Sequence, residues 1–264
     1  MNSKRLNWKY GDDYFSKETN IFEKVFQETP SKPEAPIRDT EQINLELVDY
    51  DTEYYETLRD NIILPLSGTS KVPRLISITC SDFGEGVSTI ASKLALTFAK
   101  KSDKPVILVD TNFAKPSIHK IFNLKLSPGL GEILIDKYES TSIIQPSLIH
   151  NLFIITAGDI LSNPTTKFDS PMFTDLLHKW KHDYSYVLFD TPPMQCDMKQ
   201  CDMNSSVRLA SIVDGVIMVV EAERIRREII LNAKERLMNS KANILGVVLN
   251  KTKYYIPKCI YKRL

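Results

Sequence analysis

A doubly wound, mostly parallel α/β sheet flanked by helices is the fold that three features of this 264-residue chain predict. Six short apolar runs rich in β-branched residues recur between residues 74 and 250, longer stretches with helical periodicity separate them, and the first run leads through a glycine loop straight into a helical pattern. Runs that are nearly all apolar suit strands buried on both faces, as in a parallel sheet covered by crossover helices.

In chain order, residues 1–45 mix charges of both signs, carry Pro30, Pro33 and Pro36, and show no sustained periodicity. Such a segment buries too little apolar surface to offset its ordering entropy, so a flexible N-terminal arm is expected, with one domain over 46–264. The stretch ELVDYDTEYYETLRDNIILPL reads as a leading helix that stops before Pro65. Strands are expected at 74–80, 106–110, 152–156, 186–190, 216–220 and 244–250. Between them, 89–100 places Ile90, Leu94 and Phe98 four apart with Ala91, Ala95 and Ala99 alongside, and 221–239 places Ile225, Ile229, Ala233 and Leu237 on one stripe. That alternation puts a ligand site at the carboxyl ends of the strands.

Composition excludes several classes. A net charge of +1 gives no global field toward nucleic acid or an acidic surface, so no nucleic-acid partner is expected. Cys80, Cys196, Cys201 and Cys259 form no CxxC pair and lie near no histidine pair at zinc-ligand spacing; they read as reduced thiols, with a Cys196–Cys201 disulfide or metal pair as the alternative. The start, MNSKRLNWKYGDDYF, lacks the apolar core of a secretory signal, and no apolar run is long enough to span a bilayer; a soluble cytoplasmic protein is expected.

The run RLISITC continues into SDFGEGVST and then a helix, the strand, glycine loop, helix order of a P-loop. Glycines at 84 and 86 let backbone amides approach phosphate oxygens without a Cβ in the way, and the helix N-terminus adds partial positive charge. A tight βα turn is the plainer reading of the same residues. Where a P-loop carries lysine, this chain has Val87, which can neither contact phosphates nor stabilise transferring charge. Asp110 and Asp190 each end an apolar strand, a position that either caps the following turn or serves Mg²⁺ together with Ser88.

Seven motifs in order, GEGVST, VILVDTNFAKPSIHKIF, SPGLGEIL, AGDILSNP, SYVLFDTPP, VDGVIMVV and LGVVLN, resemble the cytoplasmic kinase domain of bacterial tyrosine kinases (BY-kinases) of exopolysaccharide and capsule synthesis, within the MinD/ParA-like P-loop class. The resemblance implies a phosphate loop at Gly84, Glu85, Gly86, Val87, Ser88 and Thr89, with Asp110 and Asp190 as the acids of the catalytic and metal site. It also implies an adenine contact at Asn250, ATP or ADP with Mg²⁺ as cofactor, and a membrane polysaccharide co-polymerase or kinase paralogue as partner.

Three functional places depart from that pattern: Val87 replaces the lysine, Asn112 the second acid of the DxD motif, and Ala114 a basic residue, although Lys115 stands beside it. Losing one charge-assisted hydrogen bond, worth roughly 1.5–3 kcal/mol, weakens nucleotide binding by about 10- to 150-fold. A pseudokinase regulator with weak or absent ATP turnover is therefore expected. The alternatives are an active autokinase using Lys115 or Lys93, and a MinD/ParA-like ATPase switch.

On the leading helix the family's ring-assembly motif ExxRxxR keeps Glu53 and Arg59 but has Glu56 as its middle residue, so homo-oligomer formation is left open. The basic, aromatic tail KTKYYIPKCIYKRL offers Tyr254, Tyr255 and Tyr261 as phosphate acceptors by resemblance. Its plainer reading is a packed terminal segment with a solvated basic fringe; a basic, aromatic end also suits a negatively charged surface at the inner face of the membrane or an acidic partner.

Overall fold

The computed structural model describes residues 52–64, 72–135, 142–159, 165–195 and 204–252. The arm, Cys196, Cys201, Cys259, Asn163, Pro164 and the tail tyrosines lie outside the described residues.

Seven strands form one sheet in the order β3-β4-β2-β5-β1-β6-β7. They are β1 (Leu75–Cys80), β2 (Val106–Asp110), β3 (Gln145–Pro146), β4 (Leu152–Ile155), β5 (Tyr186–Asp190), β6 (Gly215–Glu221) and β7 (Ile244–Asn250). All pairs are parallel except β3 with β4. β3 is the strand the sequence did not announce, because two residues, one of them proline, carry no periodic signal; proline is tolerated there because β3 is an edge. Helices are α1 (Thr52–Ile63), α2 (Val87–Lys101), α3 (Ile118–Ile121), α4 (Leu130–Leu134), α5 (Pro171–Asp183), α6 (Ser205–Ile212) and α7 (Arg227–Asn239).

Strand alternation assigns the layers. Ile76, Ile78, Val106, Leu108, Leu188, Ile217 and Val219 point to the face covered by α2, which is itself covered by Tyr55, Leu58 and Ile62 of α1. The predicted stripe of α2 is buried throughout: Ile90, Leu94 and Phe98 have no exposed surface, and Phe98 meets the Tyr186 ring with centroids 4.2 Å apart. Full burial of such side chains contributes about 1.5–3 kcal/mol each. On the other face, Leu75, Ile107, Val109, Val187 and Phe189 meet α4 and α5. Ser170 caps α5 by accepting from the Phe173 amide at 3.2 Å, Pro171 supplies the first turn, and Phe173, Leu176, Leu177 and Trp180 turn inward.

The helix expected over 221–239 is shorter, because β6 runs on to Glu221 and a turn precedes α7. Its buried stripe is Ala233 and Leu237 with Ile230 beside them, while Ile225 and Ile229 remain half-exposed. Arg59, placed by resemblance at an assembly surface, is only 8% exposed and bonds the Asp60 carboxylate through Nε at 2.9 Å. Glu56 instead faces Lys101 at 3.9 Å.

Candidate functional site

β5 lies between β2 and β1, so the topology gathers Asp110, Asp190 and the loop after β1 at one end of the sheet. Asp110 and Asp190 are direct register partners, and Ile78 of β1 is partnered to Asp190 on the other side. This is the crevice where strand order reverses and where doubly wound sheets take ligands.

The loop 81–86 turns back through two left-handed glycines, Gly84 at φ 82° and Gly86 at φ 91°. Gly86 immediately precedes α2, and its carbonyl accepts from the Ile90 amide at 3.0 Å. Ser88 and Thr89 follow in the first turn, where amides without intrahelical partners carry the helix's positive end.

Two residues assigned to nucleotide contact turn their side chains elsewhere. Glu85 is fully buried, and its carboxylate accepts from Ser81 Oγ at 2.8 Å and from the amides of Asp82 and Glu221 at 2.7 and 2.8 Å. Its side chain braces the loop against β6; only its backbone can face a phosphate. Val87, 7% exposed, packs into the core between α2 and the sheet. Asn250 donates Nδ2–H to the Glu85 carbonyl at 2.8 Å, tying the end of β7 to the same loop.

The two aspartates differ sharply. Asp110 accepts from the Asn112 amide at 3.0 Å through Oδ1 and from the Ser117 and Ile118 amides at 3.1 Å through Oδ2. It therefore caps the turn into α3, which was one of the two readings of its position. Asn112 repeats the device, its Oδ1 accepting from the Lys115 amide at 3.1 Å. Asp190 is equally buried, yet neither carboxylate oxygen has a hydrogen-bond partner of ordinary geometry among the described residues. Burial pushes the Asp110 carboxyl up to about 6 against the pull of its three amides. Burial, and then the Asp110 charge, push Asp190 well above the carboxylate range, with only the Ser88 hydroxyl opposing.

An orphaned buried carboxylate is costly unless something of opposite charge completes it. Asp190 with Ser88 fits the protein side of a Mg²⁺ site of the P-loop kind, where phosphate oxygens and water supply the remaining ligands. Among the described residues no group of three or more His, Cys, Asp or Glu is placed to hold a metal ion. Cys80 is a free, buried thiol whose proton is held by burial first and then by the nearby Glu85, Asp190 and Asp82 charges.

Lys93 and Lys115 are the candidate stand-ins for a cation at the position of Val87. Lys93 Nζ sits over the Tyr55 ring, 5.7 Å from its centroid, on the side of α2 that faces α1. Lys115 is exposed in the turn after β2. Sequence reading missed three residues that do reach the loop: Arg224 bonds the Phe83 carbonyl, Lys251 Nζ donates to the Gly84 carbonyl at 2.9 Å, and Glu221 pairs with both. Their only signal was their place, just past the carboxyl ends of β6 and β7. Glu132 was also missed; it accepts from Ser127 Oγ and the amides of Gly129 and Asp159, closing the turns of SPGLGEIL and AGD onto each other.

Sheet order, glycine loop, helix start and paired strand-end aspartates together define a P-loop NTPase domain of the MinD/ParA-like kind. Residues 71–263 match the family described as ParA: NUBPL iron-transfer P-loop NTPase. The tyrosine-protein kinase YwqD of Bacillus subtilis (strain 168) is 31% identical over 75% of this chain and 80% of its own length. The putative tyrosine-protein kinase CapB of Staphylococcus aureus is 28% identical over 76% of this chain and 84% of its own. Among solved structures, the chimerical protein CapA2B2 superposes with a TM-score of 0.71 at 28% identity, covering 82% of this chain and 92% of that one. The kinase domain of Escherichia coli tyrosine kinase ETK, at 20% identity, shares the fold with a TM-score of 0.74 over 94% of this chain and 100% of its own. The chain belongs to the ParA-type P-loop NTPase family, within its branch of bacterial tyrosine-protein kinases.

Proposed function

We propose that this protein is a substituted kinase of that branch, acting as a regulator or adaptor in exopolysaccharide or capsule production, with ATP turnover weak or absent. The observation that carries the proposal is Val87, an aliphatic side chain packed into the core where the loop's catalytic cation belongs.

In this reading the loop amides between Gly84 and Thr89 hold phosphate oxygens, and the Ser88 hydroxyl and Asp190 carboxylate hold Mg²⁺. Bound Mg-nucleotide would supply the charge that Asp190 lacks. Asp110 keeps the turn into α3 in place, its two oxygens accepting from three amides. Binding thus retains its backbone component, whereas transfer loses its electrostatic one; deleting a single such donor costs about 10² to 10³ in rate. Asn112 in place of an acid compounds that loss.

A protein with the binding scaffold and without the chemistry is suited to docking, on a membrane co-polymerase or on an intact kinase, in a nucleotide-dependent way. The tail tyrosines Tyr254, Tyr255 and Tyr261 would then be substrates of that kinase rather than of this chain.

Calorimetry with Mg-ADP and Mg-ATP, paired with a phosphotyrosine assay, tests the proposal. Weak or no binding and no autophosphorylation, with binding strengthened in Val87→Lys, is the expected result. Robust autophosphorylation that disappears in Asp190→Ala would replace it with the active-autokinase reading.

A further inference from the structure

Three successive carbonyls of the phosphate loop each accept a side-chain donor from outside the loop. Arg224, in the turn after β6, donates Nη2–H to Phe83 O; Lys251, just past β7, donates Nζ–H to Gly84 O at 2.9 Å; Asn250 donates Nδ2–H to Glu85 O at 2.8 Å. The cations are held in turn. Arg224 pairs with Asp82 at 3.2 Å and with Glu221, and Lys251 reaches the other Glu221 oxygen at 3.3 Å. Glu221 is fixed through its backbone, whose amide donates to Glu85 Oε2. Lys251 adopts φ 57°, a conformation uncommon for a side chain other than glycine, while its amide bonds Asn250 Oδ1 at 2.9 Å.

A peptide whose carbonyl is pinned on one side presents the following amide to the other. Pinning Phe83, Gly84 and Glu85 therefore aims the amides of residues 84–86 toward the crevice, where Asp190 and Ser88 lie. In a loop with an internal lysine, the cation and the bound phosphate organise these amides together. Here that cation is absent and two cations stand on the outer side instead.

We propose that Arg224 and Lys251, with Asn250 between them, form an external clamp that preorganises the phosphate loop for an anionic ligand, the phosphate chain of a nucleotide, in place of the lysine missing at Val87. These are positioning residues: they act on the loop's carbonyls, and through them on its amides. The inference rests on the reading of this loop as a retained phosphate site, but the ordering it describes exists in the nucleotide-free protein and can be measured there.

The test is hydrogen–deuterium exchange of the peptide spanning 81–90 in the nucleotide-free, full-length protein, with Lys251→Met, Arg224→Met and the double variant. Exchange is expected to accelerate at least tenfold in the double variant and to stay at the parent rate in Lys251→Arg, which keeps the cation. Exchange within twofold of the parent in the double variant would overturn the clamp. That result does not depend on whether the natural protein phosphorylates itself, so the clamp and the pseudokinase reading fail separately.

Discussion

Asp110 and Asp190 are register partners on adjacent strands, both without exposed surface, and one is fully hydrogen-bonded while the other holds no partner of ordinary geometry among the described residues. Two carboxylates so placed cannot both ionise cheaply. Their native proton affinity lies above that of the unfolded chain, so between the unfolded value near 4 and the native values the folded protein binds more protons. Stability of the metal-free protein must then fall as pH rises through that window. Urea unfolding in chelator is expected to show stability falling as pH rises from about 5 to about 7.5, with the slope flattened in Asp190→Asn. His119, lowered by burial and by Lys120, acts in the opposite sense, so the comparison with the variant is decisive. A slope unchanged in Asp190→Asn would locate the titration elsewhere.

Gly86 and Asn250 form a second coupled pair. A Cβ at position 86 would overlap Asn250 Nδ2, and φ 91° is itself strained for any L side chain. Gly86→Ala is expected to cost about 2–4 kcal/mol, part conformational and part steric. Adding Asn250→Ala relieves only the steric part, so a double-mutant cycle in denaturant should show about 1 kcal/mol of favourable coupling. Strict additivity would mean that the loop shifts away from Asn250 freely.

Glu132 closes two turns with three hydrogen bonds. Burial raises its carboxyl, but the Ser127 hydroxyl and the amides of Gly129 and Asp159 outweigh it and leave it below the ordinary glutamate value. Its contribution is therefore present at neutral pH and lost as pH falls through its native value. Glu132→Ala should destabilise by about 2–4 kcal/mol in equilibrium unfolding at pH 7, and Glu132→Gln by roughly half as much, since one acceptor oxygen remains. A neutral Glu132→Ala would show that the turns hold without it.

Val87→Lys trades a packed aliphatic side chain for a cation whose stem leaves the same helical position. Without nucleotide the variant is expected to lose about 1–2 kcal/mol of stability. With saturating Mg-ADP it should regain more than it lost, because binding to the native state alone stabilises in proportion to ligand over Kd. Thermal melts with and without Mg-ADP read both effects; equal shifts in parent and variant would mean that the lysine does not reach the phosphates.

Much of the scaffold was legible because its signals are local. Every parallel strand was marked by a nearly all-apolar run, and α2 by residues four apart that proved fully buried. The ends of elements were less legible: β6 extended to Glu221 and shortened the helix that follows, since a polar residue at a strand end looks like the start of a loop.

Within the site, the sequence by itself determined the glycine loop, the valine at position 87 and the two strand-end acids, because each depends on residue type at a fixed chain position. Only the tertiary structure decided which acid is capped and which is orphaned, that Glu85 turns inward to brace the loop, that Lys93 lies over Tyr55, and that Arg224 and Lys251 stand on the loop's carbonyls. The physical reason is range. Chain-local chemistry is written in adjacent residues, whereas contacts such as Lys251 to Gly84, 167 positions apart, exist only once the sheet order β5-β1-β6-β7 has placed the strand ends side by side.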